Sequence, residues 1–162
     1  MSAGADPRLI LREDELDAGV ELMMLAESAL WAGVDAVLET DSSGLGRSHW
    51  RAAFLLRRRP GLGVQELAHL TSLSKQAASR ILVDLAAHGF VEKAAGELDG
   101  RRRSATLTAA GAAFEGRVSE RLRAQLARAY RSGGLDGVTA ARRILAALAG
   151  ARTRSADPER IA

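Results

Sequence analysis

Two groups of side chains in this sequence could do chemistry, and both suit an anionic partner. The first is Asp99-Gly100-Arg101-Arg102-Arg103, three guanidiniums behind a tight Asp-Gly turn. Beyond it Ala105 and Leu107 alternate with Ser104, Thr106 and Thr108, the period of a strand leaving a hairpin. Three like charges at an exposed tip repel one another, and an acidic partner outside the chain makes them useful. The second group lies on residues 74–88, read as a helix. At about 100° per residue, Gln76, Arg80 and Val83 share one face, with Ser79 beside them and Lys75 on the first turn. Ala78, Ile81, Leu82 and Leu85 share the opposite face and should pack inward. Arginine can donate a pair of hydrogen bonds to guanine, glutamine can exchange a pair with adenine, and valine can touch a thymine methyl. Ser74 and Lys75 stand at the positive end of the helix, which attracts phosphate. The plain alternative is a solvated helix face. The arginine-tipped hairpin that follows directly favours double-stranded DNA.

Other chemistries lack their residues. The sequence has no cysteine, which excludes disulfides, thiol redox sensing and cysteine-ligated zinc. His49, His69 and His88 form no ligand-spaced pair, so neither a metal nor a cofactor is expected. There is no Walker loop, no G-x-S-x-G elbow and no nucleophile with an evident base, so no catalytic residue is assigned. Gly44-Leu45-Gly46 and Gly61-Leu62-Gly63 are too short for phosphate loops and follow no predicted strand. No apolar run approaches the ~20 residues that span a bilayer. The start, MSAGADPRLILREDEL, lacks the pattern of a signal peptide. A cytoplasmic protein without membrane association is expected.

The net charge is only +3, but it is unevenly spread. Residues 1–46 hold 2 Lys/Arg against 10 Asp/Glu, residues 47–117 hold 12 against 6, and residues 118–162 hold 9 against 4. An acidic head before a basic middle and tail fits a nucleic-acid binder with a separate self-association region.

The elements that must position these side chains follow from periodicity and caps. Residues 14–40 read as a long helix with Leu16, Val20, Met23, Leu30, Val34 and Val37 on one apolar face. Residues 40–46 form a loop, Ser48 caps a second helix, and Pro60-Gly61 stops it. A short third helix covers 64–70, with a tight connection at 71–73. Ser74 caps the fourth helix, which runs to His88 and ends at Gly89. Helix, short turn, helix is the helix-turn-helix arrangement. Strands at 90–93 and 103–107 flank the arginine tip, and a hairpin in this position is a wing. Its tip would lie at the adjacent minor groove, where negative potential favours inserted arginine. Asp99 pairs with Arg101 or Arg103 and supports the loop, while the other arginines reach outward. Thr108 caps a fifth helix to about residue 131, and residues 132–134 break it. A sixth helix starts after Asp136 with Val138, Ala141, Leu145 and Leu148 in a heptad-like stripe.

The segments QELAHLTSLSKQAASRILVDLAAHGFVEK and DGRRRSATLTAAG resemble the MarR family of bacterial winged helix-turn-helix regulators. The family's D-x-R wing core falls on Asp99 and Arg101, its L-T-x-x-G on Leu107, Thr108 and Gly111, and its G-x-V on Gly89 and Val91. Gly100 stands where many members carry arginine, and the missing cysteine rules out the peroxide-sensing thiol of some members. The resemblance implies a mainly α fold with a small β-hairpin wing. It implies a single domain over 1–162: an N-terminal dimerisation helix and loop (14–45), a DNA-binding lobe (47–108), C-terminal dimerisation helices (109–150) and a flexible tail (151–162). It also implies a homodimeric repressor reading a palindrome.

Many relatives bind small aromatic or anionic effectors between the dimer helices and the DNA lobe. His49, Trp50 and Arg51 lie where such a crevice would form, with Trp31 and Asp35 reaching it from the first helix. Competing with that reading, Trp50 is a core residue, His49 a hydrogen-bonded helix residue and Arg51 solvated, because one helix cannot aim three consecutive side chains into one pocket. The alternative function is a winged-helix protein-interaction module that has lost DNA binding and uses its basic face on an acidic protein.

Overall fold

A computed structural model describes residues 10–93 and 104–155. The order of elements is α1 (Glu13–Leu38), α2 (Arg47–Arg58), β1 (Leu62–Gly63), α3 (Val64–Thr71), α4 (Lys75–Ala87), β2 (Val91–Lys93), β3 (Ser104–Leu107) and α5 (Ala109–Ser155). The fold is mainly helical with one small antiparallel sheet, as expected. The chain divides into two compact units, Met1–Leu122 and Arg123–Ala162.

In the first unit, α2, α3 and α4 enclose a core with the sheet and the start of α5. Leu56, Leu67, Leu85, Val34, Phe114 and Val118 are its largest fully buried apolar side chains. The fourth helix is built as its pattern predicts. The Ser74 hydroxyl accepts from the Ala77 N–H at 3.1 Å, and Ala78, Ile81 and Leu85 are buried. Gly89 follows the helix at φ +70°, a left-handed turn that suits a residue without a Cβ.

The sheet holds a strand that the sequence did not announce. β1 pairs with β3 in the register Leu62↔Ala105 and Gly63↔Ser104, while β3 pairs with β2 through Val91↔Leu107 and Glu92↔Thr106. Leu62 is buried beneath it. A strand of two residues carries no period, so only its buried leucine could have marked it.

Helix α2 corrects another expectation. It begins at Arg47 with Gly46 as its N-cap, so Ser48 lies inside the first turn and caps nothing. His49 does the work instead: its Nδ1 accepts from the Gly46 N–H at 3.2 Å. The start of α5 does follow its expected cap. The Thr108 hydroxyl accepts from the Gly111 N–H at 3.1 Å and donates to the Gly89 carbonyl at 2.6 Å. Gly111 sits so close to the backbone of Phe90 that a Cβ there would lie 2.8 Å from the Phe90 carbonyl carbon and closer still to its oxygen. The L-T-x-x-G string is therefore a weld between the end of the sheet and α5.

Helix α1 buries only Gly33 and Val34. Trp31, Val37 and Leu38 at its C-terminal end are half-buried against the core, whereas Leu16, Val20, Met23 and Met24 are exposed in the single chain.

In the second unit α5 is interrupted at Gly134, which takes φ +65° and ψ −177°. The break falls where expected, but helix resumes sooner: Leu135 and Asp136 are already helical, and the Thr139 hydroxyl donates to the Leu135 carbonyl at 3.2 Å. Leu135, Ile144, Leu145 and Leu148 are exposed within this unit.

Candidate nucleic-acid interface

The outward side of α4 is an open surface lined by Lys75, Gln76, Ser79, Arg80, Val83 and Asp84. Lys75, Gln76, Arg80 and Val83 are exposed and Ser79 is half-buried. Val83, at 62% exposure, is an apolar side chain with no internal role to explain it. With Ser74 at the N-cap, the structure brings together all six α4-segment residues named from the sequence. Asp99, Arg101, Arg102 and Arg103 lie outside the described residues.

Asp84 is the residue of this face that sequence reasoning missed. Its Oδ2 accepts from His49 across 35 positions of chain at 3.2 Å. Because His49 Nδ1 accepts from Gly46, the ring proton is on Nε2, the atom that faces Asp84. His88 adds a second tie between the end of α4 and the loop before α2, with one ring nitrogen 2.8 Å from the Asp84 carbonyl and the other 3.2 Å from the Ser43 carbonyl.

The five effector candidates do not converge as polar groups on one space. Arg51 donates to the carbonyls of Leu70 and Thr71, each at 3.3 Å, and so caps the end of α3. His49 serves Gly46 and Asp84. Asp35 takes a two-pronged ion pair from Arg47, whose guanidinium also lies 5.3 Å from the Trp31 ring centre. That hydrogen-bonded arginine holds the Asp35 carboxyl below its ordinary range, against a smaller opposing effect of burial. Trp31 and Trp50 do meet, edge to face at 6.3 Å, and Phe54 lies 5.6 Å beyond Trp50. Trp50 is core, yet its buried indole N–H has no hydrogen-bond partner among the described residues.

Two buried carboxylates lock the first turns of α5 to the rest of the unit. Glu115, 1% exposed in its side chain, accepts from Arg57 Nε at 2.7 Å and from the Ser119 hydroxyl. Asp41 accepts from the Ser43 N–H at 3.0 Å and from Arg117. Burial raises the Asp41 pKa, but the Ser43 and Arg117 hydrogen bonds outweigh it and the net displacement is downward.

Among the described residues no three His, Asp or Glu side chains gather as a metal site, and no helix is long and apolar enough to cross a membrane.

A helix of this polarity set behind a short turn and before a two-stranded hairpin has a counterpart in known proteins. The sequence profile of the MarR family matches residues 43–102. The HTH-type transcriptional regulator PetP of Rhodobacter capsulatus is 35% identical over 145 residues, spanning 90% of this chain and 86% of that protein. The chain belongs to the MarR family. Its fold matches a MarR family protein from Bacillus stearothermophilus with TM-score 0.71 at 17% identity, over 89% of this chain and 99% of that one. It also matches a Mycobacterium tuberculosis MarR family protein in complex with p-aminosalicylic acid, with TM-score 0.58 at 29% identity, over 80% and 96% of the two chains. The protein is thus a MarR-family helix-turn-helix transcriptional regulator, and the known proteins it is similar to are regulators rather than enzymes.

Proposed function

We propose that this MarR protein is a homodimeric repressor that reads a palindromic operator with α4 in the major groove and the arginine wing at the minor groove. The observation that carries the reading is the outward face of α4, where Gln76 and Arg80 offer base-pairing groups beside Lys75 and Ser74 for phosphate. Ser79 adds a hydroxyl and Val83 a methyl contact. Arg101, Arg102 and Arg103 supply the wing contacts and Asp99 holds their loop. The exposed apolar faces of α1 and of the second unit support assembly, because contiguous exposed apolar patches mark interaction surfaces. The protein acts where the DNA is, in the cytoplasm.

A small aromatic or anionic effector relieves repression in this proposal. Trp31 and Trp50, which meet edge to face, form the aromatic wall. Asp35, His49 and Arg51, named with them from the sequence, are held by Arg47, by Gly46 and Asp84, and by the carbonyls at the end of α3, so the aromatic pair carries this part of the proposal. The p-aminosalicylic acid complex of the M. tuberculosis relative supports this ligand class.

Selection of genomic fragments by the purified protein, followed by footprinting, tests the reading. A palindromic footprint that is lost when p-aminosalicylate is added supports both halves. Binding to acidic proteins with no sequence-selective DNA protection would replace it with the protein-interaction reading.

A further inference from the structure

We propose that Asp84 reads a base, accepting a hydrogen bond from the exocyclic amine of a cytosine, and that His49 is the positioning residue that aims it. The inference rests on the recognition-face reading of α4 and adds to it a residue of opposite charge. An anion on a surface meant for a polyanion needs an explanation. Asp84 shares its open surface with Lys75, Gln76, Ser79, Arg80 and Val83. Its side chain is 40% exposed. A carboxylate only accepts hydrogen bonds, so phosphate oxygens repel it and the acceptor edges of guanine and thymine offer it nothing. The donors in the major groove are the amines of cytosine and adenine. Adenine's amine stands beside the N7 acceptor, which repels the second carboxylate oxygen. Cytosine is the base that remains.

His49 makes the carboxylate available for this. Asp84 lies one turn after Arg80, at the spacing where arginine and aspartate side chains meet on a helix. Among the described residues they form no ion pair; Asp84 goes to His49. The ring is fixed from behind by the Gly46 N–H on Nδ1, so Nε2–H holds Oδ2 and leaves Oδ1 to accept. The same contact leaves the Arg80 guanidinium available to DNA. Four residues of helix advance about 6 Å, close to two base steps of about 3.4 Å. The cytosine should therefore stand about two base pairs from the base that Arg80 reads.

The test is selection from a random double-stranded DNA library by the full-length protein and its variants, followed by sequencing of the bound pool. Asp84→Ala should reduce the cytosine preference at one position of each half-site by roughly fivefold to a hundredfold. Asp84→Asn, which keeps the shape, should move that preference from cytosine toward adenine, since an amide both donates and accepts. His49→Ala should weaken the cytosine preference without changing the preferred base, and His49→Gln, which can still donate to Asp84, should restore it. The proposal is overturned if both Asp84 variants keep the wild-type profile at every position, or if they raise affinity for all sequences alike. His49→Ala lowering the melting temperature with an unchanged base profile removes His49 from the positioning role. Arg80→Ala separates the two readings. If the wild-type profile is flat or Arg80→Ala leaves it unchanged, the α4 reading falls and this one with it. If Arg80→Ala alters the profile and the Asp84 variants do not, this proposal alone falls.

Discussion

Helices α1 and α4 are both amphipathic, and they solve opposite problems. α4 buries Ala78, Ile81 and Leu85 in its own chain and turns polar side chains outward. α1 buries only Gly33 and Val34 and turns Leu16, Val20, Met23 and Met24 outward. The order of α4 is supplied from within, so its outer face can be chosen for a partner with little regard to stability. α1 packs on its own unit only through its last turns, at Trp31, Val34, Val37 and Leu38, and its first turns leave an apolar face without cover in the single chain. In the proposed function the same sequence pattern serves recognition in one helix and association in the other.

The largest expected effect breaks the α1 side of this contrast. Replacing Leu16, Val20 and Met23 together with glutamate should dissociate the proposed dimer. Each buried side chain of this size contributes about 1.5–3 kcal/mol, so the dissociation constant should rise at least about a hundredfold. Sedimentation over a concentration series measures this, and an unchanged assembly state would remove this face from the interface. Next is Leu85→Ala, on the inner side of α4, which should lower stability by about 2–5 kcal/mol through lost burial and the cavity left behind. Denaturant titration reads it.

Arg80→Ala, on the outer side of the same helix, should leave that titration unchanged. It should weaken specific binding by about 1–3 kcal/mol and relax one base position per half-site. Stability and recognition would then separate on one helix. Equal melting losses from Leu85→Ala and Arg80→Ala would end the comparison.

The smallest effect concerns the loop that leaves α1. The Asp41 pKa is lowered in the folded chain, so its ionised form stabilises the fold above the ordinary carboxylate range. That contribution is lost as pH falls through about 4 toward the depressed folded value. Asp41→Asn should cost about 1 kcal/mol at neutral pH and flatten the acid limb of the stability profile. Melting temperatures between neutral pH and pH 3 compare the two proteins.

Much of α4 could be read in advance because its signals are local: Ser74 before it, Gly89 after it, and an inner and an outer face within four turns. The strands β2 and β3 had alternation and an Asp-Gly turn. What escaped was non-local or too short to have a period. β1 has two residues. Asp84 looked like one more solvated carboxylate until His49, 35 residues away, was seen to hold it. Asp41 and Arg117 meet across 76 residues, and Arg57 and Glu115 join α2 to α5 in the same way. Ser48 looked like a helix cap by residue type, but the helix began two residues earlier than that cap implied and His49 took the task. Arg51 looked available to a ligand until the carbonyls at the end of α3 were seen to occupy it.

The weld at the start of α5 has a consequence for how the gene can vary. Gly111 and Gly116 lie five residues apart in one helix, and propensity alone would treat them alike. In a library of every single substitution, position 111 should tolerate no other residue, because even a methyl group meets the Phe90 backbone. Position 116 has nothing within 4 Å of where a Cβ would stand. Alanine there should be enriched under thermal selection, by up to about 1 kcal/mol of helix propensity. One glycine is a constraint on the lineage, and the other is an unused opportunity for drift.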